Sequence, residues 1–211
     1  MQDEAHPNGF HAGSRSLQDQ FDTRALADRI DELMVHNTIT DHDRDFIEAR
    51  DMFFLATADA QGLPTCSYKG GDPGFVRVLD EHTLAFPNYD GNGMYFSMGN
   101  VLVNPHVGML FIDFERGHRM RLEGVASIDR ADPLLAAYPE AQFVVRVVPR
   151  VVYPNCPRYI HRYTLQSRSR FVPHEACPTP VPAWKQDDWA YDALPADDPA
   201  RELHGREVLD R

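Results

Sequence analysis

Residues 52–69 read MFFLATADAQGLPTCSYK, and this stretch decides the fold. Met52–Asp59 is short, apolar and rich in β-formers. Ala60-Gln61-Gly62 is a turn signal, and Thr65–Lys69 follows as a strand able to pair back in a hairpin. Lys69-Gly70-Gly71-Asp72-Pro73-Gly74 then reads as a loop, and Phe75–Asp80 with Thr83–Pro87 as a second hairpin around Asp80-Glu81-His82. Downstream, Val107–Phe114 is almost wholly apolar, which predicts burial on both faces. His118–Ile128 alternates, with Met120 and Leu122 on one face and Arg119, Arg121 and Glu123 on the other. In Ala141–Tyr153, Phe143, Val145 and Val147 oppose Arg146 and Arg150.

Before Asp51 the period is helical. Apolar residues in Asp22–Val35 fall at Ala25, Leu26, Ile30, Leu33 and Met34. A second short helix begins with Thr40 as N-cap and Asp43 at its third position, followed by Phe46, Ile47 and Ala49. A further helix, Asn92–Val103, interrupts the strands and stops at Asn104-Pro105. Six or seven strands on short connections must be mainly antiparallel. The expected fold is therefore α+β, mainly β, with N-terminal helices on a closed or partly closed barrel. We expect three regions: a helical segment at 1–50, the barrel at 51–165 and an arm at 166–211.

Composition limits the function. The 211 residues include 32 acidic and 21 basic ones, for a net charge of −11. A polyanion is repelled, so no nucleic-acid partner is expected and a bound phosphate needs a local pocket. Cys66, Cys156 and Cys177 are odd in number and lack C-x-x-C spacing, which predicts reduced thiols and a cytoplasmic location. MQDEAHPNGFHAG lacks a basic start with an apolar core, so no signal peptide is expected. No apolar run approaches the roughly 18 residues of a membrane span, so no membrane association is expected. From Pro173 the tail is Pro-rich and acidic, the composition of a solvated arm. It also carries Trp184 and Trp189, the only tryptophans, so part of it is expected to dock on something.

Three clusters suit an anionic ligand. The first is Asn88–Asn100, NYDGNGMYFSMGN, which leaves a strand and enters a helix. A helix N-terminus offers free N–H groups, Gly91 and Gly93 permit close backbone approach, and Ser97 and Asn100 add donors. Phe96 occupies the third glycine position of G-x-G-x-x-G, which excludes a dinucleotide fingerprint. The same pattern also fits a plain helix start capped by Asn92. The second is Ser67-Tyr68-Lys69-Gly70-Gly71, where alternation puts a hydroxyl and an ammonium on one face. The third is the pair Arg119 and Arg121, able to neutralise a phosphate or to line a solvated face. Ten histidines show no H-x-x-x-H or H-E-x-x-H spacing, so no metal is expected, and no G-x-S-x-G elbow marks a hydrolase. Cys156, in Asn155-Cys156-Pro157-Arg158, reads as a buried inert thiol or one whose pKa Arg158 lowers.

The string FFLATADAQGLPTCSYKGGDPGFVRVLDEHTLAFPNYDGNGMYFSMGN, with NPHVGMLFIDF and RMRLEGVASI, resembles the flavin-binding relatives of pyridoxamine phosphate oxidase. Phe10–Gln18 and Asn155–Ile160 resemble one subgroup of that family, so the likeness spans about residues 10–165. The resemblance implies a split β-barrel that forms a homodimer and binds FMN at the subunit interface. It implies oxidoreductase chemistry on an unidentified small molecule or electron donor. The alternatives are a non-catalytic flavin carrier or sensor, or a haem-binding split barrel. By position it implicates Ser67, Lys69, Asn92, Ser97, Asn100 and Arg121; Gly70, Asn88, Tyr89, Gly93 and Arg119 complete the expected cofactor site. His11, Tyr89 and Cys156 are the nearby groups able to move a proton. One departure stands out: the oxidases carry Ser-Arg-Lys at the helix start, where this chain has Tyr95-Phe96-Ser97. The phosphate must then rest on Lys69, Arg119 or Arg121.

Overall fold

The computed structural model describes residues 10–203. The reading of the first nine residues as no leader, and the last eight residues of the acidic tail, lie outside the described residues. The chain divides into two units, Met1–Gln166 and Ser167–Arg211.

The first unit is built on one seven-stranded antiparallel sheet in the order β2-β1-β5-β6-β7-β4-β3. Its strands are β1 Met52–Ala58, β2 Pro64–Gly70, β3 Arg77–Asp80, β4 Thr83–Asn88, β5 His106–Asp113, β6 His118–Asp129 and β7 Phe143–Asn155. Helices α1 Ala12–Gln20, α2 Arg24–Met34 and α3 Asp41–Glu48 precede the sheet, and α4 Phe96–Val103 joins β4 to β5. The result is an α+β, mainly β fold of the split-barrel kind.

Alternation places the core. Phe53 and Leu55 of β1 stand opposite Phe111 and Met109 of β5, which stand opposite Met120 and Leu122 of β6. All six are buried, and Leu84, Phe86, Val145 and Val147 complete the cluster. β5 corrects the expectation of a strand buried on both faces. Val107, Met109, Phe111 and Asp113 are buried, whereas Gly108, Leu110 and Ile112 are only partly covered. The barrel interior covers one face of β5, and the other is only partly covered among the described residues. At Gly124 the β6–β7 register shifts, and an added Cβ would lie 2.6 Å from the Val148 carbonyl oxygen. Only glycine lets the two strands approach so closely there.

Thr40 caps α3 as expected: its hydroxyl accepts from the Asp43 N–H, and the Asp43 carboxylate accepts from the Thr40 N–H at 2.9 Å. His36 Nε2 lies 2.7 Å from the same carboxylate. Helix α1 has no counterpart in the sequence reading. It is capped by His11, whose Nδ1 accepts from the Gly13 and Ser14 N–H groups. Two predicted boundaries also move. β3 starts at Arg77 rather than Phe75, and α4 starts at Phe96 rather than Asn92.

Asp132 ties β7 to the short 3-10 helix Pro133–Ala137. It is buried, and Arg146 donates to it from Nε at 2.5 Å and from Nη2 at 3.0 Å. That guanidinium, helped by the Leu134 N–H, holds the Asp132 carboxyl below the usual carboxylate range against the opposing effect of burial. A depressed folded pKa gives stability that is full above the unfolded value of about 3.9 and lost as pH falls through the folded value. Urea midpoints measured from pH 6 downward should therefore fall below about pH 4, and Asp132→Asn should flatten that fall. Identical slopes for parent and variant would show that the pair contributes nothing to acid sensitivity.

In the second unit, Lys185 Nζ lies 2.7 Å from Asp198 Oδ2, with both side chains nearly buried. Gln186 Nε2 donates to the Ala200 carbonyl at 2.9 Å. Trp184 and Trp189 stack on each other with centroids 5.9 Å apart, and Trp189 remains 73% exposed.

Candidate functional site

The β1–β2 register sets one wall of the site. Phe53 faces Lys69, Leu55 faces Ser67 and Thr57 faces Thr65, so these three β2 side chains share the face of the buried core residues. β2 is an edge strand, so among the described residues no further strand closes the barrel beyond them. α4 lies over this opening. Ser97 donates to Ser67 through their hydroxyls at 3.0 Å, and Asn100 Nδ2 donates to Thr57 Oγ1 at 3.1 Å and Thr65 Oγ1 at 3.3 Å. The pocket left between β2, the end of β4 and the start of α4 has a volume of about 280 Å³.

Tyr95 precedes α4 in the left-handed region, at φ 50° and ψ 25°. This conformation is costly for an aromatic residue, of order 1–3 kcal/mol. Tyr95 is held there by its hydroxyl, which donates to Gln142 Oε1 at 2.9 Å, while Asn88 Nδ2 donates to the same oxygen at 3.0 Å. The first intrahelical bond is Gly99 N–H to the Tyr95 carbonyl. No side chain caps the helix. The N–H groups of its first turn, at Phe96, Ser97 and Met98, therefore lack intrahelical partners beside a pocket those residues line.

The structure brings Ser67, Lys69, Asn88, Tyr89, Asn92, Gly93 and Ser97 to the pocket. Among the described residues that line it, Lys69 is the one cation. Among the described residues Lys69 has no ion-pair or hydrogen-bond partner, and burial pulls its pKa below the ordinary lysine value. Tyr89 is shifted up, by burial first and the Asp72 charge second. Asn92 does not cap α4; its Oδ1 accepts from the Met94 N–H and shapes the preceding loop, where Gly93 takes φ 75°. Gly70 ends β2 just outside the lining, and Asn100 spends its amide on the two threonines.

Arg119 and Arg121 are not brought there within one chain. Their neighbours Met120 and Leu122 face the barrel interior, so both arginines point to the opposite face of the sheet. Arg121 Nη1 donates to the Tyr153 hydroxyl at 3.4 Å, and Arg119 lines another cleft. Of the three groups able to move a proton, none of which the sequence assigns a catalytic role, Tyr89 reaches the pocket; His11 caps α1 and Cys156 lies in the cleft with Arg119. Cys156 is exposed, which corrects the buried reading: it follows the last strand residue of β7, past the edge of the core. Sequence reading missed Cys66, Tyr95 and Gln142. Tyr95 and Gln142 are 47 positions apart, so no local pattern links them. Among the described residues no group of three or more His, Cys, Asp or Glu side chains could hold a metal ion. No described helix is long and apolar enough to cross a membrane.

The family model for pyridoxamine 5'-phosphate oxidase matches residues 39–157. No curated protein matches the chain. A putative pyridoxamine 5'-phosphate oxidase from Lactobacillus delbrueckii is 22% identical, with a TM-score of 0.46 over 56% of this chain and 95% of that one. HupZ from Group A Streptococcus is 21% identical, with a TM-score of 0.45 over 56% of this chain and 99% of that one. An FMN-binding protein from Syntrophomonas wolfei is 12% identical, with a TM-score of 0.41 over 66% of this chain and 97% of that one. Likenesses this distant do not assign a ligand.

Proposed function

The chain belongs to the pyridoxamine 5'-phosphate oxidase family, and from that membership we propose that it is an FMN-binding homodimer with oxidoreductase chemistry on a small molecule. The observation that carries the reading is Lys69, a half-buried cation with no partner among the described residues, facing a pocket beside an uncapped helix start. In a chain of net charge −11, such a group is stabilised by an incoming anion. The Ser67 hydroxyl, which accepts from Ser97 and keeps its own hydrogen to donate, and the first-turn N–H groups of α4 complete a donor set suited to a phosphate. The residues present thus fit the phosphate end of FMN. When bound, a flavin supplies the hydride or electron transfer, and the protein supplies orientation and electrostatics.

The pocket's 280 Å³ is at the lower edge of the roughly 300–1,000 Å³ of small-molecule sites. Its rim carries Met94, Tyr95 and Phe96, all exposed and apolar. A second copy covering this rim and the half-covered outer face of β5 would complete the site, which supports the homodimer. No histidine is among the described residues that line the pocket, so an imidazole ligand to a haem iron would have to come from elsewhere.

The purified protein is expected to be yellow, with an absorbance band at about 450 nm from an oxidised flavin, and to release FMN on denaturation. A Soret band in place of the flavin spectrum would favour haem. A protein that neither retains nor rebinds FMN would overturn the reading. Turnover of a reduced nicotinamide by the loaded dimer separates an oxidoreductase from a carrier.

A further inference from the structure

A second cleft, of about 500 Å³, opens between α2, α3 and the ends of β6 and β7. Ile30, Met34, Phe46 and Met120 give it an apolar wall. Among the described residues that line it, the titratable and charged groups are His42, His118, Arg119 and Cys156, with no carboxylate. In an acidic chain this is a local concentration of cationic and cationisable groups. Arg119 Nε is buried and has no hydrogen-bond partner among the described residues. An orphaned guanidinium N–H is costly unless something else satisfies it. Cys156 sits at the mouth of the cleft, exposed, and Arg158 Nε donates to its Sγ at 3.0 Å.

We propose that Cys156 is a nucleophilic site for small disulfides that carry an apolar or aromatic body and a negative charge, with the body seated in this cleft. Cys156, as the thiolate, attacks one sulfur of the disulfide with an Sγ electron pair. A new Sγ–S bond forms as the old S–S bond breaks, and the departing sulfur leaves as a thiolate with the bonding pair. Cys156 is oxidised to a mixed disulfide, half of the reagent is reduced, and no further oxidant or proton is required. The Arg158 backbone N–H first, and its guanidinium second, hold the thiol below the ordinary cysteine range, with Arg119 adding to the effect. The apolar wall takes the body, and Arg119 takes the negative charge. Cys66 lines the other pocket, on β2, so it is not placed to resolve the adduct. The expected product at this cleft is the mixed disulfide of Cys156. None of this depends on a bound flavin.

The test treats the full chain at pH 7 with dithiobis(nitrobenzoate), which is aromatic and anionic, and with dithiodipyridine, which is aromatic and uncharged. Peptide mass mapping then gives the rate at each cysteine. All three cysteines are exposed, so Cys66 and Cys177 are internal controls. Cys156 should react about tenfold faster than either with both reagents, as a thiolate-rich thiol does at neutral pH. Arg119→Gln should slow the anionic reagent at Cys156 by about tenfold and the uncharged one much less, because Arg119 is the smallest of the contributors to the thiol's acidity. Arg158→Gln should slow both. Cys156 reacting no faster than Cys66 and Cys177 would overturn the proposal. Equal slowing of both reagents in Arg119→Gln would remove the anion from it.

Discussion

Phe53→Ala is expected to lower the stability of the barrel unit by about 3–5 kcal/mol, the usual range for deleting a fully buried aromatic ring. Phe53 is 0% exposed, and its ring centroid lies 5.0 Å from Phe86, 5.2 Å from Phe111 and 5.8 Å from Phe75. These neighbours come from β4, from β5 and from the loop before β3, so one truncation removes contacts to three parts of the barrel. The cavity cannot close by moving a single side chain, because each neighbour is fixed by its own strand or by other buried residues. At about 2–4 °C per kcal/mol for a protein of this size, the melting temperature should fall by roughly 6–20 °C. Urea unfolding should show a lower midpoint with an unchanged slope. Leu63→Ala, in an exposed turn, should stay within about 0.5 kcal/mol of the parent. A loss under about 1 kcal/mol for Phe53→Ala would mean that the four rings do not form one packed cluster.

The same residue shows why much of the fold was legible in the sequence. Phe53 and Leu55 lie in a short apolar run with a turn signal behind it, and Met120 and Leu122 alternate with charged residues. Period-two patterns of that kind report which residues share a face, and those faces are the ones observed. The capping box at Thr40 was legible because its chemistry is local. Three features were not. Asn92-Gly93 has the composition of a helix start, but Tyr95 takes the left-handed conformation and α4 begins one residue later. The compensation comes from Gln142, far away in the chain. His11 is an unusual cap residue, so α1 gave no signal. Alternation put Arg119 and Arg121 on one face correctly, yet it could not say which face of the sheet holds the pocket. That depends on strand order: β2 and β6 are separated by β1 and β5, and parity must be carried through three registers. Carried through, Lys69 shares a face with Met120, not with Arg121.

Lys69→Ala is therefore expected to weaken FMN binding by about ten- to a hundred-fold, the equivalent of 1.5–3 kcal/mol for losing a charged hydrogen-bond partner. Removing Lys69 takes away the one cation among the described residues that line the pocket. What remains is the Ser67 hydroxyl donor and a helix start worth about 0.3–1 kcal/mol, too little to hold a dianion against a net charge of −11. Riboflavin has no phosphate, so its affinity should stay unchanged in the same variant. Titration of both ligands into the apo protein, followed by flavin fluorescence, separates the two effects. If both ligands weaken equally, Lys69 serves the ring or the fold, since it stands opposite Phe53 in the register. If neither weakens, the pocket is not the phosphate site. Alkaline pH offers an independent readout. Burial lowers the Lys69 pKa in the empty pocket, so FMN affinity should decline at a lower pH than for an ordinary lysine, while riboflavin affinity stays flat. Arg121→Ala completes the comparison. Its side chain lies on the opposite face of its own chain, so FMN affinity falls in that variant only where a second copy carries Arg121 across to the pocket. A loss in Arg121→Ala that disappears on dilution to the monomer would tie the phosphate site to the dimer.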